Sequence, residues 1–236
     1  MTDREFDTDA VFLDIPDVLN FRDASCGVLR PGVLYRSASL SGLSPEGARR
    51  LKPLGIRTVV DLRSPAEIAA APDLFHGLDH DYLHAPLLPD RHDTEHPWPS
   101  DQFATYQLMA EIGGDAVAAT VRRLAGDGAP VLVHCAVGKD RTGLTIAVIQ
   151  HLAGLSDADI TADYLRSNRG LGLDAGPVPY IDEHGVSHVS HPAEADRLHT
   201  ALARIRELHG TIETYLTAHG VTPAELAAVR AALSTV

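Results

Sequence analysis

Apolar positions along the chain follow two rhythms up to about residue 155 and a single one after residue 190. "GVLYRS", "IRTVVDLR", "DYLHAPL" and "PVLVHC" are short runs that read as strands, and "IRTVVDLR" reads as one buried on both faces. Between them the apolar residues recur at helical spacing. "SPEGARRLKPLG" predicts a helix with Ser44 as N-cap, Pro45 at the first helical position and Gly55 as terminator. "SPAEIAAA" predicts a second, short helix, and "PDRHDTEHPWPSD" a polar, proline-punctuated loop. From about Asp101 to Leu124 the spacing predicts one helix, ended by "GDG". "DRTGLTIAVIQHLAG" predicts a helix closed by Gly154, and "SDADITADYLRSN" another capped by Ser156.

The rhythm is then lost. "RGLGLDAGPVPYIDEHGVSHVSHP" is rich in Gly, Pro and His and has no clear period. A connector this long is expected to be a lid or mobile segment, and residues 154–192 are the candidate lid. "AEADRLHTALARIRELHG", "TIETYLTAHG" and "TPAELAAVRAALS" return to helical spacing. Alternating strands and helices followed by an all-helical end predict an α/β fold: a sheet flanked by helices, with a mostly helical C-terminal part.

The length of 236 residues fits one domain, so 1–236 reads as a single unit. The net charge of −12 argues against nucleic acid as a partner, and an anionic substrate would need a local nest of positive potential. No apolar run approaches the ~20 residues of a membrane span, so no stable membrane association is expected. The N-terminus "MTDREFDTDAVFLD" is acidic and lacks the apolar core of a signal peptide. Two distant cysteines, Cys26 and Cys135, make no disulfide framework. A cytoplasmic location is expected, with export by a signal-less route left open.

Of 20 basic residues only Lys52 and Lys139 are lysines. Lys139 shares the stretch "HCAVGKDRTG", His134 to Gly143, with Cys135. The order is strand, short glycine-containing loop, helix. Such a loop can aim the backbone N–H groups of Ala136, Val137, Gly138 and Lys139 at one oxyanion, and the helix N-terminus adds donors and positive potential. Arg141 can fork onto two phosphate oxygens, as a lysine could not. The same field favours the thiolate of Cys135, the reactive species. Thr142 can donate its hydroxyl to that sulfur when it leaves. Gly138 permits the turn and Gly143 close packing of the helix. The chemistry this suits is phosphoryl transfer through Cys135, with no metal and no cofactor. A nucleotide-binding loop is excluded, since Val133 and Asp140 stand where it needs Gly and Ser or Thr.

"HCAVGKDRTG" resembles the H-C-x5-R-[ST]-G signature of the protein tyrosine phosphatase superfamily. "NFRDASCGVLRPGVLYRSASLSGLSPEGARRLKPLGIRTVVDLRSPAE", "DYLRSN" and "ETYLTAHGVTPAELAAVRAAL" resemble bacterial tyrosine phosphatases of the mycobacterial PtpB type, so the likeness covers roughly residues 15–235. Lys139 and Asp140 inside the loop mark that subgroup. The resemblance implies a tyrosine-phosphatase-like sheet and a phosphocysteine intermediate. It also implies activity on phosphotyrosine proteins, extending to phosphoserine, phosphothreonine and phosphoinositides. One departure is "ASCG", where the family has Gly-Gly. Cys26 there reads as a buried structural cysteine, and a disulfide to Cys135 on oxidation is the alternative.

An alkyl leaving group needs a general acid. Asp140 in the loop is the first candidate, Asp61 at the end of "RTVVD" the second, and Asp101 the third, although Asp101 equally reads as a helix cap. Arg22, Asp23, Arg36 and Arg63 match family positions and read mainly as ion pairs that tie loops together. His134 is expected to order the loop. The histidines of "HGLDHDYLH" and "EHGVSHVSH" show no ligand motif, so no metal is expected. The rival readings are a silent phosphate-binding module and a sulfur-transfer enzyme.

Overall fold

A parallel core of four short strands, the two central ones rich in valine, carries the rest of the chain. The computed structural model describes residues 12–95 and 97–235, so the acidic stretch 1–11 lies outside the described residues. In chain order the elements are β1 (Arg22–Asp23), β2 (Leu34–Ser37), α1 (Pro45–Leu51), β3 (Thr58–Asp61), α2 (Pro65–Ala70), β4 (Asp81–His84), α3 (Gln102–Ile112), α4 (Gly114–Ala125), β5 (Val131–His134) and α5 (Asp140–Leu152). There follow α6 (Asp157–Leu165), α7 (Ser167–Gly170), β6 (Val178–Ile181), β7 (Ser187–Ser190), α8 (Ala195–His209), α9 (Ile212–Ala218) and α10 (Pro223–Leu233).

The main sheet has the order β1-β2-β5-β3-β4, with β1 antiparallel and the rest parallel. Because β5 is central, its C-terminal end is flanked by Ser37 of β2 and Asp61 of β3, both in register with His134. Loops at the carboxyl ends of parallel strands form the crevice where such folds bind ligands. Side chains alternate across β5. Val131 and Val133 face a core built with α4, α5, α8, α9 and α10, whereas Leu132 faces a smaller core with Phe21, Tyr35, Leu43 and Leu51. The predicted α/β sheet with a helical C-terminal part is therefore what forms, and no helix among the described residues is long and apolar enough to cross a membrane.

The caps were legible locally. Ser44 and Ser156 accept hydrogen bonds from the backbones of Gly47 and Asp159, and Gly55 closes the first helical segment at φ +61°. Three expectations change. The helix expected over Asp101–Leu124 is two helices, α3 and α4, meeting at Gly113, where a Cβ would press on the Met109 carbonyl oxygen and the Leu87 side chain. The aperiodic segment contains a two-stranded antiparallel hairpin, β6–β7. Within the candidate lid 154–192, α6 belongs to the core, with Ile160, Asp163 and Tyr164 buried.

Candidate active site

Cys135 leaves the end of β5 and α5 begins five residues later, so the whole intervening loop sits at the carboxyl edge of the sheet. A cavity of about 620 Å³ opens there, lined by Cys135, Ala136, Val137, Lys139, Asp140 and Arg141. Cys135 itself is 2% exposed. Gly138 is absent from the lining; it supplies the turn, at φ +67°.

The loop is oriented by its carbonyls. Ala136 O accepts from Ser39 N (3.0 Å), Val137 O from Asn20 Nδ2 (3.4 Å) and Lys139 O from Gly143 N (2.8 Å). Gly138 O accepts from Asn20 Nδ2 and from an Arg36 Nη, each at 2.9 Å. In a trans peptide the N–H points opposite the C=O. Tying these carbonyls to Ser39, Asn20, Arg36 and Gly143 therefore turns the N–H groups of Val137 to Asp140 to the opposite side, the disposition an anion cradle needs.

The anchors are themselves held by a buried triad. Asp163 of α6 pairs with Arg22 (2.9 Å) and Arg36 (2.8 Å), all three buried, and Arg22 also donates to Asn20 Oδ1. Burial pushes the Asp163 carboxyl up, but the two guanidiniums outweigh it and hold it at about 2. Burial, together with the neighbouring Arg36, lowers Arg22 to about 10. The reading of Arg22 and Arg36 as loop ties describes their contacts. Asp23 likewise caps its own loop, accepting from Ser25 N and Gly32 N.

A Cβ on Gly138 would press into the Ser37 carbonyl at the end of β2. Gly138→Ala is therefore expected to destabilise the fold by about 1–3 kcal/mol through backbone strain alone, read as a lower urea midpoint.

Arg141 is forked onto Glu67, with both N···O distances 2.6 Å. Glu67 is placed by the capping box of α2, where it accepts from Ser64 N. Burial would lower the Arg141 guanidinium, and Glu67 more than reverses this, so the charge is kept. A guanidinium has five N–H donors, so Glu67 orients Arg141 and leaves three, two of them on one edge. The Trp98 ring lies 5.4 Å from the Arg141 guanidinium carbon. Sequence reasoning missed Glu67, Asn20 and Asp163. Only the S-P-A-E capping box carried a local signal, and it spoke for a helix start, not a site.

The three acid candidates separate. Asp140 lines the cavity, and its Oδ1 accepts from Tyr106 at 2.5 Å. The Tyr164 hydroxyl lies 2.5 Å from that of Tyr106, so Tyr164 donates onward to it. Burial and the neighbouring Asp140 push the Tyr106 phenol well up, which keeps it a donor. Gly143 lacks the Cβ that would collide with the Tyr164 ring.

Asp61, expected at the site, is not part of the lining and is fully buried. Its carboxylate accepts from Arg63 through both oxygens and from Tyr82 at 2.7 Å. Burial raises it, and Arg63 and His134 overcome this and hold it well below the usual carboxylate range. Its oxygens are thus taken up by partners away from the cavity. Arg63 also pairs with Asp73 (2.8 Å), and His134 Nε2 lies 3.2 Å from the same carboxylate. Asp101 caps α3, accepting from Ala104 N at 2.8 Å.

Lys139 Nζ donates to His191 O (2.5 Å) and lies 3.4 Å from Ser190 Oγ, which ties the loop to the base of the β6–β7 hairpin. Of the candidate lid, residues 180–183 and 188–191 line the cavity. Thr142 is buried and its hydroxyl has no hydrogen-bond partner among the described residues. Cys26 is a free buried thiol, bonded to Ala24 O and Gln150 and pushed up to about 12, chiefly by burial. It stands at φ +56° beside Gly27 at +70°, left-handed backbone that glycine adopts most readily. Nothing in these contacts links it to Cys135.

Residues 13–235 match the model of a tyrosine phosphatase family. The triple specificity protein phosphatase PtpB of Mycobacterium tuberculosis is 30% identical, with 93% of this chain and 98% of that protein aligned. A tyrosine-protein phosphatase of Nostoc commune is 28% identical, with 81% and 70% aligned. The solved catalytic core of the PP-IP phosphatase Siw14 of S. cerevisiae aligns over 59% of this chain and 74% of its own, at 19% identity and a TM-score of 0.38. By this match across nearly its whole length, the chain belongs to the tyrosine phosphatase family.

Proposed function

We propose that the chain hydrolyses phosphotyrosine in proteins, and phosphoserine or phosphothreonine more slowly, through a phosphocysteine formed on Cys135. The observation that carries this reading is the loop tied through its carbonyls, which surrounds a buried cysteine with donors and adds the Arg141 fork. Phosphate oxygens take the loop N–H groups and the two Arg141 donors left on one edge of the guanidinium, with Lys139 adding charge. The Cys135 thiolate attacks phosphorus as the P–O ester bond breaks, and Asp140 gives the leaving oxygen its proton from Oδ2, since Tyr106 holds Oδ1. Water then attacks the phosphocysteine with Asp140 taking a proton. Sulfur departs as thiolate, and the unpartnered Thr142 hydroxyl is available to receive it. Asp61 has no part in these steps. The β6–β7 hairpin serves as the lid, and the activity is read as cytoplasmic.

A second reading, a phosphoinositide phosphatase of the same mechanism, draws on the size of the cavity and on Lys139 in its wall. Phosphate release in EDTA from a phosphotyrosine peptide, a phosphoserine peptide and soluble phosphoinositides ranks the two. Peptide binding without release by the wild-type chain would instead favour a phosphate-binding module. Asp140→Asn is expected to lower alkyl-phosphate turnover by about 10²-fold or more, and to affect aryl esters of acidic phenols far less. Equal losses on both substrates would remove Asp140 from the acid role.

A further inference from the structure

The tip of the β6–β7 hairpin meets the 89–95 loop through groups that the proposed reaction leaves unused. His184 Nε2 lies 3.0 and 3.2 Å from the two oxygens of Asp90 and 3.8 Å from Glu183 Oε1. The donor atoms of these three side chains all lie within 4.8 Å of one another. One imidazole N–H can serve one carboxylate, yet two converge on it. The Glu183 side chain is 11% exposed and has no Arg or Lys partner among the described residues. The nearby Arg91 is committed elsewhere, donating to Tyr180 Oη at 3.0 Å and stacking on Trp98.

We propose that Asp90, Glu183 and His184 form a divalent-cation site, suited to Zn²⁺, that fastens the hairpin tip to the 89–95 loop. Two atoms each ~2.1 Å from a tetrahedral centre stand about 3.4 Å apart, and the three distances from His184 Nε2 bracket that value. One imidazole with two carboxylates suits Zn²⁺ or a similar transition ion better than Mg²⁺ or Ca²⁺, which take oxygen donors. The surroundings hold the ligands in place. Asp182 Oδ1 accepts from the backbones of His184 (2.9 Å) and Val186 (2.8 Å), and the His92 ring meets His184 edge-on with centroids 4.5 Å apart. The ligands span residue 90 and residues 183–184, a separation at which no local motif would show. The cation would replace the proton shared between His184 and Asp90 and hold the hairpin across the cavity mouth.

The test uses the full chain carrying Cys135→Ser, so that the cation cannot settle on the catalytic thiol and phosphatase activity plays no part. Calorimetric titration with Zn²⁺ is expected to show one-to-one binding. His184→Ala and Asp90→Asn, with unchanged far-UV circular dichroism, are each expected to weaken it by about tenfold or more, since even outer-shell losses cost that much. His199→Ala on α8 is expected to leave it unchanged. Zn²⁺ should also slow chymotryptic cleavage after Tyr180, and should fail to do so in the His184→Ala chain. No saturable binding, or binding retained in both ligand variants, would overturn the proposal.

Discussion

Cys135→Ser is expected to lower kcat by about 10⁴-fold or more, the scale seen when an enzyme loses its nucleophile, while binding of phosphorylated peptide persists. The two halves of that expectation come from different atoms. The serine hydroxyl keeps its proton at neutral pH and forms a stronger bond to phosphorus, so both attack and departure become slow. In the proposed mechanism peptide binding rests on the loop N–H groups and Arg141, and these are positioned by Asn20, Arg36 and Glu67, not by the sulfur. Stopped assays on a phosphotyrosine peptide, paired with calorimetry on the same peptide, separate the two. A serine variant with more than a few per cent of wild-type kcat would place the nucleophile elsewhere. A variant unable to bind would mean that the loop collapses without its sulfur.

Asp163→Asn is expected to cost the fold about 3–5 kcal/mol, the usual consequence of removing one partner from a buried ionic group. For a chain of 236 residues this corresponds to a fall in Tm of roughly 10 °C. The reason is local. Arg22 and Arg36 are fully buried, and the asparagine leaves two guanidiniums facing each other with no counter-charge. The pH dependence has a definite sign. Asp163 titrates at about 2 in the folded chain and near the ordinary 3.8 when unfolded. Its contribution is complete above about pH 4 and is lost as pH falls through 2. Urea midpoints measured from pH 6 to pH 2 should therefore converge for wild type and variant at the acid end. A constant gap across that range would show that the carboxylate charge is not what the site depends on.

The strand–loop–helix around Cys135 was legible because each part announces itself locally: an apolar run, a glycine that must turn, a helix opening on Asp140-Arg141. The hairpin at 178–190 was not. Both faces of β6 meet solvent, so the alternation that marks a half-buried strand is missing. Nor was the break at Gly113, because the apolar spacing continues straight through it. At the site, Asp140 could be favoured over Asp61 by proximity in sequence. The finding that Asp61 is sealed behind Arg63 and Tyr82 needed the partners' positions. Glu67, Asn20 and Asp163 lie 74, 118 and up to 141 positions from the groups they hold, and no window of sequence brings them together.

Those long separations also bear on how the protein comes into being. During synthesis the nucleophile leaves the ribosome well before Asp163, which joins Arg22 to Arg36, and the carbonyl of Leu233, which accepts from Arg30 N, follows near the end. Before Asp163 emerges the loop has its cysteine and its arginine but lacks the carboxylate that joins Arg22 to Arg36. Its anion-binding geometry is assembled by closure of distant chain segments, a slow class of event. A chain cut short before Asp163 is therefore expected to lack phosphatase activity.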